Sequence, residues 1–173
     1  MKIYLVAGKA GSGKGEVSKI ISEYYNKNGK KTVISEFSKY LKLYAKEILG
    51  WDGDNPKPRD FLQDLGSKIK TDMNMPFFLI ERMIEDVKIY NLYADVLIIS
   101  DVRMPLEIEE LKKRFSNVCS IYVINNFEKS KLTDKQQNDI TETALDNYDE
   151  FDYVIVNDDI SNLENKVHEI LTK

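Results

Sequence analysis

A glycine-rich turn separates a short apolar run from a helical pattern near the N-terminus. The apolar run covers residues 3–7 (IYLVA), and the turn covers residues 8–15 (GKAGSGKG). The apolar residues that follow recur at helical spacing, at Val17, Ile20, Ile21 and Tyr24. An almost wholly apolar strand is typical of a central strand that is covered on both faces. A strand, a tight turn and a helix in this order therefore favour an α/β fold.

The turn matches the pattern G-x-x-x-x-G-K at every required position. Small residues let successive backbone amides approach phosphate oxygens, and the start of the next helix adds a favourable dipole. Lys14 supplies a mobile positive charge for a transferred phosphoryl group. The alternative is a flexible glycine turn without a ligand, but a lysine in register favours phosphate binding. We predict that the phosphate-binding residues are Gly8, Gly11, Ser12, Gly13, Lys14, Gly15 and Glu16.

Gly15 departs from the usual form of this loop, in which a Ser or Thr hydroxyl at the same position binds magnesium. Glycine has no side chain to offer. Glu16 is rotated by about 100° around the helix relative to its predecessor, so it cannot simply replace that ligand. We therefore expect a metal ion to be held by phosphates, waters and a carboxylate from elsewhere in the chain.

Four further apolar runs predict strands, at residues 32–35, 94–100, 118–124 and 153–156. Helical patterns occupy most of the chain between them. The block 37–92 has no strand, and we expect a helical insertion over one end of the sheet. The segment 125–140 that follows the fourth predicted strand is polar. Alternating strands and helices predict one domain, residues 1–173, with a five-stranded parallel sheet and helices on both faces.

Charge and cysteine content exclude several classes of protein. The 173 residues carry 25 Lys and Arg against 29 Asp and Glu, a net charge of -4, and the sequence pI is about 5.2. This balance argues against a nucleic-acid partner. A single cysteine, Cys119, and a single histidine, His168, exclude an internal disulfide and a Cys/His zinc site. No apolar run approaches the ~20 residues of a membrane span. We expect a cytoplasmic protein, in the host cytoplasm if the gene is viral.

Two polar residues follow the third predicted strand. Asp101 ends the apolar run, and Arg103 comes two residues later, where open α/β sheets gather their ligands. Asp101 could hold magnesium, directly or through water, or accept a proton; the alternative is a carboxylate that caps a turn. The planar fork of Arg103 can pair two phosphate oxygens. The alternative to phosphate binding is that Arg103 forms a surface salt bridge, for example to Glu107.

Five segments together resemble the deoxynucleoside monophosphate kinase family of phages and bacteria, within the P-loop kinases. They are the loop 8–15, residues 41–52 ending in Gly-Trp-Asp, residues 59–66 (RDFLQDLG), residues 99–107 (ISDVRMPLE), and residues 141–145 (TETAL) before 151–157 (FDYVIVN). The resemblance implies a three-layer P-loop kinase fold, with residues 37–92 as an acceptor-binding helical insertion and residues 125–140 as a short lid. It also implies phosphoryl transfer from ATP, with Mg²⁺, to a nucleoside or deoxynucleoside monophosphate.

The resemblance also assigns roles to residues. Lys14, Asp101 and Arg103 would be catalytic, and Asp101 would bind the metal. Residues 8, 11–15 and 16 would bind the ATP phosphates. The acceptor would contact Lys42, Arg59, Gln63 and Arg103. Arg59 and Gln63 are four residues apart and share a helix face, for which solvation is the alternative.

Two departures from the family keep other functions open. One is Gly15; the other is a lid segment that carries lysines but no arginine. A first alternative is a P-loop kinase with another small phosphorylated acceptor, such as a dephospho-coenzyme A-like or phosphomevalonate-like compound. A second is a nucleotide-binding protein that lacks transferase activity. The expected partners are small-molecule nucleotides, without nucleic acid or membrane, and a homodimer is one option for the oligomeric state.

Overall fold

The computed structural model of this chain describes residues 1–125, 133–158 and 160–172. Residues 126–132 of the predicted lid lie outside the described residues. Residues 133–140, at the end of that segment, are described.

A five-stranded parallel sheet forms the centre of the fold. Its strands are β1 (Lys2–Ala7), β2 (Thr32–Ser35), β3 (Val96–Val102), β4 (Val118–Asn125) and β5 (Tyr153–Asn157), in the spatial order β2-β3-β1-β4-β5. β1 pairs in parallel with both β3 and β4. Its central place explains why its sequence is almost wholly apolar. The predicted five-stranded parallel sheet is confirmed.

Eight helices lie within the described residues. They are α1 (Lys14–Lys27), α2 (Lys39–Leu49), α3 (Arg59–Thr71), α4 (Phe78–Tyr90), α5 (Pro105–Arg114), α6 (Asp134–Gln137), α7 (Ile140–Thr143) and α8 (Ile160–Leu171). α2 ends at Gly50, whose positive φ of 67° is a common helix stop. None of these described helices is long and apolar enough to cross a membrane.

Alternate residues of β1 face opposite layers of helices. Ile3 and Leu5 pack with residues of α4 and α5 in one core cluster. Tyr4 and Val6 pack with α1 and α8 in the other cluster. The period-two alternation of a strand therefore gives three layers, with the sheet between two sets of helices.

The predicted insertion, residues 37–92, divides into two parts. Ile80, Met83, Ile84 and Val87 of α4 belong to the core on one face of the sheet. α2 and α3 instead form a small core of their own, with Leu41, Ala45, Leu62 and Ile69. Gly66 of α3 faces α2, since a Cβ built on it would lie in ordinary contact with Leu41 Cδ1, at 3.5 Å. The two helices α2 and α3 thus project beyond the carboxyl end of β2, next to β3.

Candidate active site

The glycine-rich loop joins the buried strand β1 to α1. Gly8, Gly11 and Gly13 have φ values of 142°, 79° and 98°, a region that side-chain-bearing residues rarely adopt. α1 begins at Lys14, directly after Gly13. The first amide groups of α1 therefore end at the loop, where the helix dipole favours an anion.

Two of these glycines are also required by close packing. A Cβ on Gly8 would lie 2.4 Å from the carbonyl oxygen of Val123, in β4. A Cβ on Gly13 would lie 2.5 Å from Nδ2 of Asn157, which donates a hydrogen bond to Ser12 O at 3.1 Å. Asn125 Nδ2 donates to Gly11 O at 3.0 Å. The ends of β4 and β5 thus hold the loop from outside.

Lys14 is buried inside the loop and is 8% exposed. Its Nζ donates hydrogen bonds to the carbonyl oxygens of Gly8, at 2.7 Å, and Lys9, at 2.6 Å. Burial, together with the nearby Arg103 cation, lowers the pKa of Lys14 to about 7, while the Glu142 and Asp101 carboxylates act in the opposite direction. Burial destabilises the charged form of this amine, and a bound phosphate group would stabilise that form again.

Ser12 presents a buried hydroxyl to the same loop. Its Oγ has no hydrogen-bond partner among the described residues, although Ser12 is only 4% exposed. Buried polar groups are normally hydrogen-bonded. An unpartnered buried hydroxyl in a glycine-rich loop before a helix N-terminus therefore fits an oxygen-rich ligand such as a phosphate.

Asp101 lies in β3, just before that strand ends. Its Oδ1 accepts a hydrogen bond from Phe37 N at 2.6 Å, and its Oδ2 accepts one from Ser38 N at 3.0 Å. These amides belong to the turn that leads into α2, so Asp101 fixes α2 to the end of the sheet. Asp101 therefore does cap a turn, but it is the turn before α2 and not the turn that follows Asp101. Each oxygen retains a further lone pair for a ligand.

Arg103 is joined to the loop through Glu142. Its Nη1 donates to Glu142 Oε1 at 2.6 Å, and Ala10 N donates to Glu142 Oε2 at 2.9 Å. The Glu142 side chain is 7% exposed and the Arg103 side chain 22% exposed. A second ion pair, between Lys9 Nζ and the Asp146 carboxylate at 2.8 Å, also joins the loop to the part of the chain that carries Glu142. One buried carboxylate thus sets the distance between the loop and Arg103.

Glu107 supports Arg103 through the backbone. Its Oε2 accepts hydrogen bonds from Arg103 N at 2.8 Å and Met104 N at 3.0 Å, so it caps the start of α5. Burial raises the pKa of Glu107 to about 7, against the effect of these two backbone hydrogen bonds. The salt bridge that sequence alone suggested between Arg103 and Glu107 is replaced by the ion pair with Glu142.

A cavity of about 370 Å³ opens beside these residues. Its walls come from α2, α3, the end of β3, the start of α5 and residues 139–142. Of the predicted site residues it includes Arg59, Gln63, Asp101 and Arg103. Its apolar part includes Leu41, Leu62 and Leu79. An apolar wall with a few charged groups is the usual composition of a small-molecule site, and the volume lies in the usual range of about 300–1,000 Å³.

Some predicted residues lie elsewhere. Lys42 does not line the cavity, and its Nζ forms an ion pair with Glu36. Gly15 and Glu16 are exposed at the start of α1. A Cβ built on Gly15 would meet no atom within 4 Å, so nothing in the described structure fills the place of the usual Ser or Thr.

Sequence reasoning did not select Lys57, which lines the cavity from the loop before α3. Burial is the main cause that lowers the pKa of this amine, and the nearby Lys42 cation adds to it. A sequence signal was available, because Lys57 lies two residues before Arg59, which begins the segment assigned to acceptor binding by the resemblance. From the lid side, Gln136 Nε2 donates to Asp60 Oδ1 at 2.8 Å, so α6 contacts the start of α3.

Solved structures of two shikimate kinases and of TT1252 have a similar fold, whereas no protein-family model and no curated protein matches the chain. Shikimate kinase from Aquifex aeolicus is 18% identical, has a TM-score of 0.53, and the match covers 99% of this chain and 95% of that chain. Shikimate kinase from Bacteroides thetaiotaomicron is 13% identical, with a TM-score of 0.52 and coverage of 99% and 96%. TT1252 from Thermus thermophilus is 14% identical, with a TM-score of 0.58 and the same coverage. The chain therefore has the α/β fold of the P-loop kinases.

Proposed function

We propose that this protein is an ATP-dependent kinase that phosphorylates a nucleoside or deoxynucleoside monophosphate. The observation that carries the proposal is the junction between the phosphate loop and the cavity, where Glu142 binds Ala10 N on one side and Arg103 on the other. A phosphate donor in the loop and an acceptor in the cavity would meet at this junction. Holding two reactants in contact is the main contribution of a phosphotransferase to its reaction.

The residues have distinct roles in this proposal. The loop amides, Ser12 Oγ and Lys14 hold the β- and γ-phosphates of ATP. Arg103 and Arg59 bind the acceptor phosphate, with Gln63 on the nucleoside, while Lys42, paired with Glu36, has at most an indirect effect. An ionised oxygen of the acceptor phosphate forms a bond to the γ-phosphorus. The bond from that phosphorus to the β–γ bridging oxygen breaks, and ADP leaves with the electron pair.

This acceptor chemistry needs no general base. A phosphate monoester has a second pKa near 6, so at neutral pH its oxygen is largely ionised. Asp101 is therefore better suited to positioning and metal binding than to removing a proton. It already fixes Phe37 and Ser38 at the edge of the cavity.

The chain offers few protein ligands for Mg²⁺. No group of three or more His, Cys, Asp or Glu side chains suited to a metal occurs among the described residues. Asp101 retains lone pairs, and the open space at Gly15 leaves room for a hydrated ion. The residues therefore fit an Mg²⁺ ion held mainly by ATP phosphates and waters, with Asp101 as the protein carboxylate. When bound, the ion neutralises charge on the β- and γ-phosphates.

A coupled assay that detects ADP tests the proposal. The panel contains ATP with Mg²⁺ and each ribo- and deoxyribonucleoside monophosphate, together with dephospho-coenzyme A and phosphomevalonate. We expect transfer to at least one nucleoside monophosphate, and loss of that transfer in Lys14→Met with the melting temperature retained. Transfer only to one of the other two acceptors would replace the proposed substrate class and keep the kinase.

A nucleotide-binding protein without transfer is the second candidate. The observations that favour it are the missing hydroxyl at Gly15 and the Arg103 guanidinium, which already forms an ion pair with Glu142. Calorimetry with ATP distinguishes the two functions. ATP binding without turnover against the whole panel would refute the kinase proposal and support this alternative.

A further inference from the structure

Lys57 is a cation that lines the cavity and has no role in the proposed function so far. It belongs to the loop between α2 and α3 and is half-buried. Its Nζ makes no hydrogen bond or salt bridge with another residue of the described ranges 1–125, 133–158 and 160–172. Its backbone is held in place, because Arg59 N donates to Lys57 O at 2.8 Å. The structure thus places an ammonium group in the cavity wall with no acceptor among the residues that it describes.

Other cations surround this amine. Lys42 and Arg59 act on Lys57 as like charges, and Glu36 and Asp101 only partly offset them. Lys57 in turn acts as a like charge on Lys14 in the phosphate loop. Its charge therefore reaches both sides of the junction, the loop and the cavity. Mutual repulsion of this kind is relieved when an anion binds between the cations.

The cavity has two distinguishable ends along α3. Arg59 begins the helix and Lys70 lies eleven residues later, which corresponds to about 16 Å at 1.5 Å per residue. Lys57 and Arg59 lie at the end that borders Asp101 and Lys14. Lys70 acts on Glu107 instead. An acceptor that spans the cavity can therefore present its phosphate to only one of the two ends.

We propose that Lys57 binds the phosphate monoester of the acceptor at the end of the cavity nearest Lys14, which directs the nucleoside toward Ser67 and Lys70. This inference rests on the proposed function for the identity of the acceptor. Lysine suits the position because its compact charge on a flexible stem can reach the phosphate oxygens that the two arginines do not bind, whereas Arg59 and Arg103 supply the planar forks. Lys57 is then a binding residue for the acceptor and makes little contribution to ATP affinity.

Calorimetry tests the inference with each nucleoside monophosphate of the panel, the matching nucleosides, and ATP. In Lys57→Met we expect the Kd of the monophosphate to rise by about 10- to 100-fold, the effect of losing one charged hydrogen bond. The Kd values of the nucleoside and of ATP should stay within about threefold of wild type. Lys57→Arg keeps the charge and should lose less than Lys57→Met. Lys30→Met removes an equal charge at an exposed position outside the cavity and should change none of these values.

The outcomes separate this inference from the proposed function. If Lys57→Met weakens monophosphate binding but wild type transfers no phosphate, the inference stands and the kinase proposal fails. If wild type phosphorylates a monophosphate and Lys57→Met binds it as tightly, the kinase stands and the inference is wrong. Equal losses in Lys57→Met and Lys70→Met would also overturn it, because the phosphate would then have no preferred end. The inference fails as well if wild type binds no monophosphate.

Discussion

Binding of ATP should draw a proton onto Lys14. Burial lowers the pKa of this amine to about 7 in the ligand-free protein. A triphosphate in the loop would bring several negative charges to within contact distance of Nζ. Opposite charge favours the protonated amine, so the pKa of Lys14 should return toward the ordinary lysine value near 10.4.

The size of the uptake follows from these two values. At about pH 8, an amine with a pKa of about 7 is protonated in about one tenth of the molecules, and in the complex it would be almost fully protonated. Binding should then take up about 0.9 proton per site. Near pH 6 the same amine is already charged, so the uptake by Lys14 should fall to about 0.1, while the partly protonated terminal phosphate of ATP would release protons. The terminal phosphate of ATP is ionised at pH 8 and contributes little there.

Isothermal calorimetry in two buffers of different protonation enthalpy measures this number. The difference in binding enthalpy, divided by the difference between the two protonation enthalpies, gives the protons taken up. Lys14→Arg is the matched control, since arginine stays protonated throughout this range. Lys57→Met is the second control, because the pKa of Lys57 is also lowered and its titration must be separated from that of Lys14.

Two results would refute the reasoning. One is an ATP-binding enthalpy at pH 8 that does not depend on the buffer. The two carbonyl groups of Gly8 and Lys9 would then suffice to keep the buried amine charged without a ligand. The other is an undiminished proton uptake in Lys14→Arg, which would assign the proton to a different residue.

Three further predictions concern the loop, its support and the acceptor side. Gly8→Ala should destabilise the fold by at least about 2 kcal/mol in chemical denaturation, because the new Cβ would collide with Val123 O. Gly11→Ala is the comparison: its Cβ meets no atom, so the variant should lose only about 1–2 kcal/mol through backbone strain. Because the pKa of Glu107 is raised, the folded protein holds this proton to higher pH than the unfolded chain does, and the free energy of unfolding should fall between about pH 4.5 and pH 7. Glu107→Gln should reduce this loss of stability by up to about 3 kcal/mol, measured by chemical denaturation at a series of pH values. An unchanged pH slope would contradict this. Arg103→Lys keeps the positive charge but loses the planar guanidinium fork, so the phosphoryl-transfer rate should fall about 10- to 100-fold while the ATP affinity measured by calorimetry stays unchanged. If the transfer rate and the ATP affinity both stay at wild-type values, Arg103 serves only as the ion-pair partner of Glu142.

The sheet could be predicted from sequence because its strands are local patterns with flanking breaks. The run at residues 3–7 is apolar at every position, and the structure buries β1 between β3 and β4. The spatial order of the strands has no such local signal. The division of block 37–92 was also beyond sequence reasoning, since α3 and α4 both show helical periodicity and differ only in what they pack against.

The candidate site was predictable where a motif fixes the spacing and not where contacts cross the chain. The glycine loop and the position of Asp101 at a strand end follow from short segments. The partners of charged groups do not: Lys42 pairs with Glu36, and Arg103 pairs with a residue 39 positions away, Glu142. Lys57 was missed although it lies two residues before Arg59, because the cavity that α2 and α3 form around it is not a local sequence pattern.

The charge balance of the cavity explains how an acidic chain can bind an anion. Four carboxylates line the cavity, and each accepts hydrogen bonds from the protein itself: Asp101 from Phe37 and Ser38, Glu107 from Arg103 and Met104, Asp139 from Thr141, and Glu142 from Ala10 and Arg103. The side chains of Lys57, Arg59 and Lys70 also line it and have no hydrogen-bond or salt-bridge partner among the described residues. The negative groups are therefore satisfied internally while positive groups remain for a ligand. Because short-range pairing outweighs screened charge at a distance, this local imbalance governs binding even though the net charge of the chain is -4.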